Sequence, residues 1–155
     1  MANTDEFWDR VDAVNAGMLD ATDGDRMVPM SHYSDRASNA LWFITASGTH
    51  VVEAVEQGSK DCVYILADGG KGLYAQVKGA LSLSRDHAKL EALWNPVADA
   101  WFEGGKTDPD VRLLCFAVTG AEVWITPTSG VRFLFKVAKA QLTGTQPDMG
   151  DHFTL

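Results

Sequence analysis

The chain has 155 residues, of which 46% are hydrophobic and 22% charged, and its formal net charge is -8. This mix belongs to one folded domain over residues 1–155 and excludes a disordered chain, which could not bury enough apolar surface to offset its conformational entropy. The acidic balance, with no local cluster of Lys or Arg, argues against nucleic acid as a partner because phosphate backbones are repelled.

Residues 1–10 carry acids and no long apolar run, unlike a signal peptide, and runs such as 40–46 fall far short of a membrane span. The chain therefore reads as a cytoplasmic protein with no membrane partner. Thr4 is placed to cap a first helix, with Asp5 and Glu6 favoured by the helix dipole and Gly17 beyond its end. Phe7, Val11 and Val14 then share one face at helical spacing. A strand over 18–22, a tight turn at Asp23-Gly24-Asp25 and a returning strand over 26–34 follow.

Residues 40–46 form a buried strand, and 51–57 a short helix beginning after Gly48-Thr49. Strands over 61–68 and 73–84 are joined by Gly69-Gly70-Lys71-Gly72. That segment lacks phosphate-loop spacing and precedes a strand, so it reads as a hairpin turn. Ser84 is the expected cap of a helix carrying Ala88, Leu90, Leu93 and Trp94, and Asn95-Pro96 starts another that ends at Gly104-Gly105. Residues 111–119 and 121–126 suggest a hairpin around Gly120, and 131–142 stands between strand and helix, with helix preferred. The sum is a mainly β (α+β) fold of roughly seven antiparallel strands with flanking helices, arranged as a small barrel.

Chemistry-bearing residues are sparse. Cys62 and Cys115 sit in apolar runs and read as buried reduced thiols, and His32, His50, His87 and His152 are too scattered for a metal centre. Ser31 and Ser47 lack the surroundings of a nucleophile, and the Asp9/Asp12 and Asp108/Asp110 pairs suit solvated charge. More informative is the run from Trp42 to His50, where an apolar strand meets Ser47, Gly48 and Thr49 before a helix. Hydroxyls and free N–H groups there could hold an anion, or Thr49 or Ser47 could simply cap the helix. Five tryptophans are present, and one or two could line a pocket for a small flat heteroaromatic ligand.

Several segments in order carry a family likeness: Arg26-Met27-Val28-Pro29-Met30, Leu41-Trp42-Phe43-Ile44-Thr45, Glu91 to Pro96, Ala100 to Pro109, and Glu122-Val123-Trp124. Together they resemble the general stress protein branch of the pyridoxamine 5′-phosphate oxidase-like family over nearly the whole chain. The resemblance implies an FMN-binding split barrel, a homodimer, and a flavin site formed by both chains. Carried over, the cofactor contacts are Pro29, Met30, Thr45, Ser47, Thr49 and His50, with Trp101 and Trp124 approaching the ring. Two positions depart from the family pattern: Val28 stands where Arg precedes Pro-Met, and Val51 where Lys follows the Ser/Thr pair. Arg26 and His50 are the candidate substitutes for the missing cations, and a lysine restored at 51 should tighten phosphate binding. The reading is an FMN-binding oxidoreductase-like stress protein with no assigned catalytic residue. The alternatives are a non-enzymatic dimeric protein that has lost FMN or holds another flat ligand, and a structural dimer with no ligand.

Overall fold

Alternation along one long strand shows how the sequence builds the molecule. In β6 (Leu73–Ser84) the side chains of Leu73, Ala75, Val77 and Leu81 are buried, while Tyr74, Gln76 and Lys78 face outward. A strand with this period-two pattern must cover one face with core and leave the other wet. The computed structural model describes residues 2–127, 138–139, 141–144 and 150–155, and places β6 at the centre of an eight-stranded sheet.

The strands are β1 (Ala16–Asp20), β2 (Met27–Ser31), β3 (Tyr33–Asp35), β4 (Ala40–Ala46), β5 (Lys60–Asp68), β6, β7 (Val111–Ile125) and β8 (Asp151–Thr154). Their order is β2-β1-β5-β6-β7-β4-β3, with β8 also paired to β7, and every pairing is antiparallel. The two ends of this order, β2 and β3, are joined by His32 alone. A sheet whose opposite edges are one residue apart in sequence has to curl until those edges meet. The product is a barrel split along the β2/β3 seam.

Helix α1 (Ala2–Ala13) closes one end, burying Phe7, Trp8 and Val11 against Leu19, Leu41, Phe43, Tyr64 and Phe116. Phe43 meets Tyr64 edge-on at 5.2 Å between ring centroids, a favoured aromatic geometry. Helix α2 (His50–Val55) adds Val51 and Val55 to the same core. Helices α3 (His87–Leu93) and α4 (Pro96–Trp101) follow β6 and lie beside the seam.

Several local expectations change. Helix α1 begins before Thr4, and Gly17 lies within β1, where an added Cβ would meet Ile65 O at 2.6 Å. The strand expected over 26–34 divides at His32, because its halves pair with opposite edges of the sheet. Asp86, not Ser84, caps α3: its side chain accepts from Lys89 N at 2.9 Å, while Ser84 Oγ accepts from Asp86 N. There is no hairpin at Gly120. β7 runs continuously for 15 residues, with Gly79 opposite Val118 and Lys78 opposite Gly120, so Thr119 is the extra residue of a bulge. The hairpin turn at Gly69–Gly72 is present, with Asp68 opposite Leu73. Cys62 is buried and Cys115 half-buried, both as free thiols. Of the segment 131–142, residues 138–139 and 141–142 are helical and the rest lies outside the described residues.

Candidate functional site

The split between β2 and β4 leaves a cleft of about 410 Å³. Pro29, Met30 and Ser31 form one wall with Tyr33, Ile44, Thr45 and Ala46 form another, and Val97, Ala98, Trp101 and Phe102 cover it from α4. The lining carries hydroxyls, a thioether and aromatic rings, but no carboxylate, imidazole, thiol, ammonium or guanidinium. The Ser31 and Thr45 hydroxyls make no hydrogen bond among the described residues, so both are available to a ligand. Trp101 is 81% exposed although it stands on the cleft wall, which leaves a large aromatic face uncovered.

Each wall is held by a specific polar contact. Asn95 caps α4, its Oδ1 accepting from Val97 N at 2.9 Å and Ala98 N at 3.1 Å, with Pro96 preset for the first turn. Its Nδ2 donates to the Tyr33 hydroxyl oxygen at 2.7 Å and to Leu93 O at 3.1 Å. One side chain thus fixes both the helix that presents Trp101 and the tyrosine across from it.

At the seam, His32 is buried and its Nε2–H donates to Val11 O at 3.0 Å. The Tyr64 hydroxyl lies 2.8 Å from both His32 Nδ1 and Met30 O, so its single proton serves one of them at a time. Burial holds the His32 imidazole below its ordinary pKa. At the end of β3, Asp35 accepts from Lys89 Nζ at 2.9 Å and from Trp42 Nε1 at 3.3 Å. The Lys89 ammonium is the main reason its carboxyl is held down to about 2.

Of the residues singled out in the sequence, Pro29, Met30, Thr45 and Trp101 come together in this cleft. Ser47 donates to Asp110 Oδ1 at 3.0 Å, joining the end of β4 to the start of β7. Thr49 is the cap of α2: its hydroxyl donates to Ala46 O at 3.0 Å and accepts from Val52 N at 3.4 Å. His50 opens α2, exposed and with no side-chain partner among the described residues. Arg26 is exposed beside the Thr22–Asp25 turn, and among the described residues only its backbone is hydrogen-bonded, to the Thr22 hydroxyl. Trp124 stacks on His152 at 4.9 Å, near the far end of β7. Thr45 pairs with Arg112, and the stretch from there to Trp124 covers on the order of 40 Å along an extended strand.

Neither carboxylate pair is assembled for chemistry. Asp9 pairs with Arg36 and Asp12 accepts from Ser34, whereas Asp108 accepts from the amides of Gly104 and Asp110. Among the described residues, no three His, Cys, Asp or Glu side chains gather as metal ligands. Among them, too, no helix is long and apolar enough to cross a membrane.

Comparison with known proteins places this architecture. The family model described as pyridoxamine 5′-phosphate oxidase like matches residues 2–148. A crystal structure from Jannaschia sp. CCS1, described as general stress protein 26, is 44% identical, with a TM-score of 0.91 over 100% of this chain and 98% of the other. The chain belongs to the pyridoxamine 5′-phosphate oxidase-like family, in its general stress protein branch. The general stress FMN/FAD binding protein of Xanthomonas citri is 28% identical, with a TM-score of 0.73 over 83% of this chain and 93% of that one. A general stress family protein of Xanthomonas campestris pv. campestris is 27% identical, with a TM-score of 0.72 over 83% and 90%. No curated protein matches the chain.

Within this family member, the two valines that replace expected cations are set by packing. Val51 is 4% exposed in the central core, and Val28 packs on that core from β2. A lysine at 51 would have to leave an apolar interior to meet an anion, so the expectation that it would tighten phosphate binding is withdrawn. The sequence alone did not single out Tyr33, Asn95 or Ser31 for the site. Asn95-Pro96 was a visible helix start, but that its amide also reaches Tyr33 follows only from the fold.

Proposed function

We propose that this protein binds a flavin through its isoalloxazine ring in the seam cleft and acts as an oxidoreductase-like general stress protein. The observation that carries this reading is the exposed Trp101 facing a slot that holds Met30 and the unpartnered Thr45 hydroxyl. Aromatic and thioether groups suit a flat heteroaromatic ring, and hydroxyls suit its polar edge. A flavin, when bound, supplies the electron transfer, and the chain contributes binding and orientation. Tyr33, held by Asn95, still has its own proton to donate, as do Ser31 and Thr45.

The residues present fit the ring and not the phosphate, because the lining has no Lys, Arg or His. For FMN, the start of α2 at Thr49 and His50 is the proposed phosphate end, with the exposed His50 as a side-chain donor there. Trp124 is too far along β7 to join the cleft of its own chain, so it enters this site only in a homodimer, from the second copy. Exposed Met27, Tyr74 and Trp124 are apolar groups that such a dimer would cover. We place this activity in the cytoplasm.

The test is a visible absorption spectrum of the purified protein followed by titration with FMN and riboflavin. Saturable binding of both, with affinities within about tenfold, follows from a ring-dominated site. Failure of both to bind at high concentration overturns the flavin reading. A second reading, a non-enzymatic dimeric protein that takes a flat ligand without phosphate, is favoured by the missing cation and by Val51 in the core. Binding of riboflavin with no turnover by reduced nicotinamide or other donors would select it.

A further inference from the structure

A second cleft, of about 350 Å³, lies between the end of β6, the first turn of α3 and the start of β7. It shares no lining residue with the seam cleft, and the flavin reading makes no use of it. Leu83, Leu90 and Leu113 give it an apolar floor, and Arg85, His87 and Arg112 line it as well.

Two guanidinium-bearing residues line this one cleft although the chain's net charge is -8. Arg10, Arg36, Lys60, Lys89 and Lys106 each have a carboxylate partner. Among the described residues Arg26, Lys71, Lys78, Arg85, Arg112 and Lys139 have none, and of these Arg85 and Arg112 line the same cleft. Arg112 Nη1 donates to Pro109 O at 2.7 Å and Val111 O at 2.9 Å, which steadies the guanidinium. Its Nε and Nη2 groups are left without a partner among the described residues. The Arg85 guanidinium makes no hydrogen bond among them at all. The one acid in the lining, Asp86, is engaged as the cap of α3 through Lys89 N. Ser84 Oγ accepts from Asp86 N at 3.2 Å and keeps its own proton.

We propose that this cleft binds an organic monophosphate, with the phosphate on Arg85 and Arg112 and a small apolar body on Leu90 and Leu113. Guanidinium groups present forked N–H donors that match phosphate oxygens, and two of them suit a dianion better than a single carboxylate. The volume lies near the lower end of the roughly 300–1,000 Å³ usual for small-molecule sites, which limits the ligand to about one ring. His87 and the Ser84 hydroxyl supply further polar contacts at the rim.

The test is an NMR titration of the full-length protein with phenyl phosphate, with benzoate and sodium sulfate at matched ionic strength as comparisons. Phenyl phosphate should give saturable shifts at residues 83–87 and 111–113, including the arginine Nε–H signals, while Met30 and Trp101, which lie on elements not paired with these strands, stay in place. Arg85→Gln should weaken this binding by about tenfold or more. Because the Arg85 side chain holds nothing in the fold, that variant remains folded even if Arg112→Gln does not. Absent saturation, equal response to sulfate or benzoate, or an Arg85→Gln variant that binds unchanged would each overturn the proposal. Riboflavin, which carries no phosphate, should leave Arg85 and His87 unshifted, so this outcome is read separately from the flavin reading.

Discussion

Replacing Asn95 by alanine tests how the seam cleft is held together. The change deletes an acceptor used by two helix amides, at 2.9 and 3.1 Å, and a donor to Tyr33 at 2.7 Å. Loss of a helix cap costs about 1 kcal/mol, and a net hydrogen bond between neutral groups about another 1 kcal/mol. The expected total is about 2 kcal/mol, which for a domain of this size lowers Tm by roughly 4–8 °C. Asn95→Ser keeps a capping oxygen but cannot reach Tyr33, so it should recover about half of the loss. A double-mutant cycle with Tyr33→Phe should give a coupling of about 1 kcal/mol for Asn95→Ala and for Asn95→Ser alike, because both lose the contact with Tyr33. Thermal unfolding followed by circular dichroism measures these values. An Asn95→Ala variant within about 0.5 kcal/mol of the parent, or a serine variant as unstable as the alanine one, would refute the double role.

Three further outcomes follow from the packing and the buried histidine. Gly17→Ala should destabilise by about 1–3 kcal/mol, because its Cβ would meet Ile65 O at 2.6 Å and Tyr64 Cζ at 2.7 Å; chemical denaturation reads the loss. Val51→Lys should cost several kcal/mol and give no gain in FMN affinity, checked by unfolding and flavin titration on the same sample. His32 binds protons less readily folded than unfolded, where its pKa is 6.5, so stability is full above that value. It should fall as pH drops from 6.5 towards the lowered folded value. Urea midpoints at pH 7.5 and 5.5 test this, and His32→Gln should lose most of the difference.

Much of the architecture was legible because it depends on local pattern. A continuous apolar run located β4 to the residue, the strand over 73–84 matched β6, Gly69–Gly72 marked the hairpin between β5 and β6, and Asn95-Pro96 and Thr49 marked two helix starts. The misreadings at Gly17, 26–34 and Gly120 share one cause: a glycine or an extended run looks the same whether it turns or passes close to another strand. Gly120 was read as a turn, but β7 continues through it because β6 and β4 pair along its first part and β6 and β8 along the rest.

The candidate site divides the same way. Met30 and Thr45 entered through the family likeness, and Trp101 through that likeness and as a residue type suited to a flat ligand. That Val51 turns into the core, that Thr49 spends its hydroxyl on a cap, and that Asn95 reaches Tyr33 62 residues away were not. Sequence by itself set which segments extend, which coil and which faces are apolar, because those follow from neighbours along the chain. Only the curling of the sheet, which brings β2 and β3 to one seam across His32, decided which of those residues share a cleft. Closure depends on contacts between segments distant in sequence, and no local pattern encodes them.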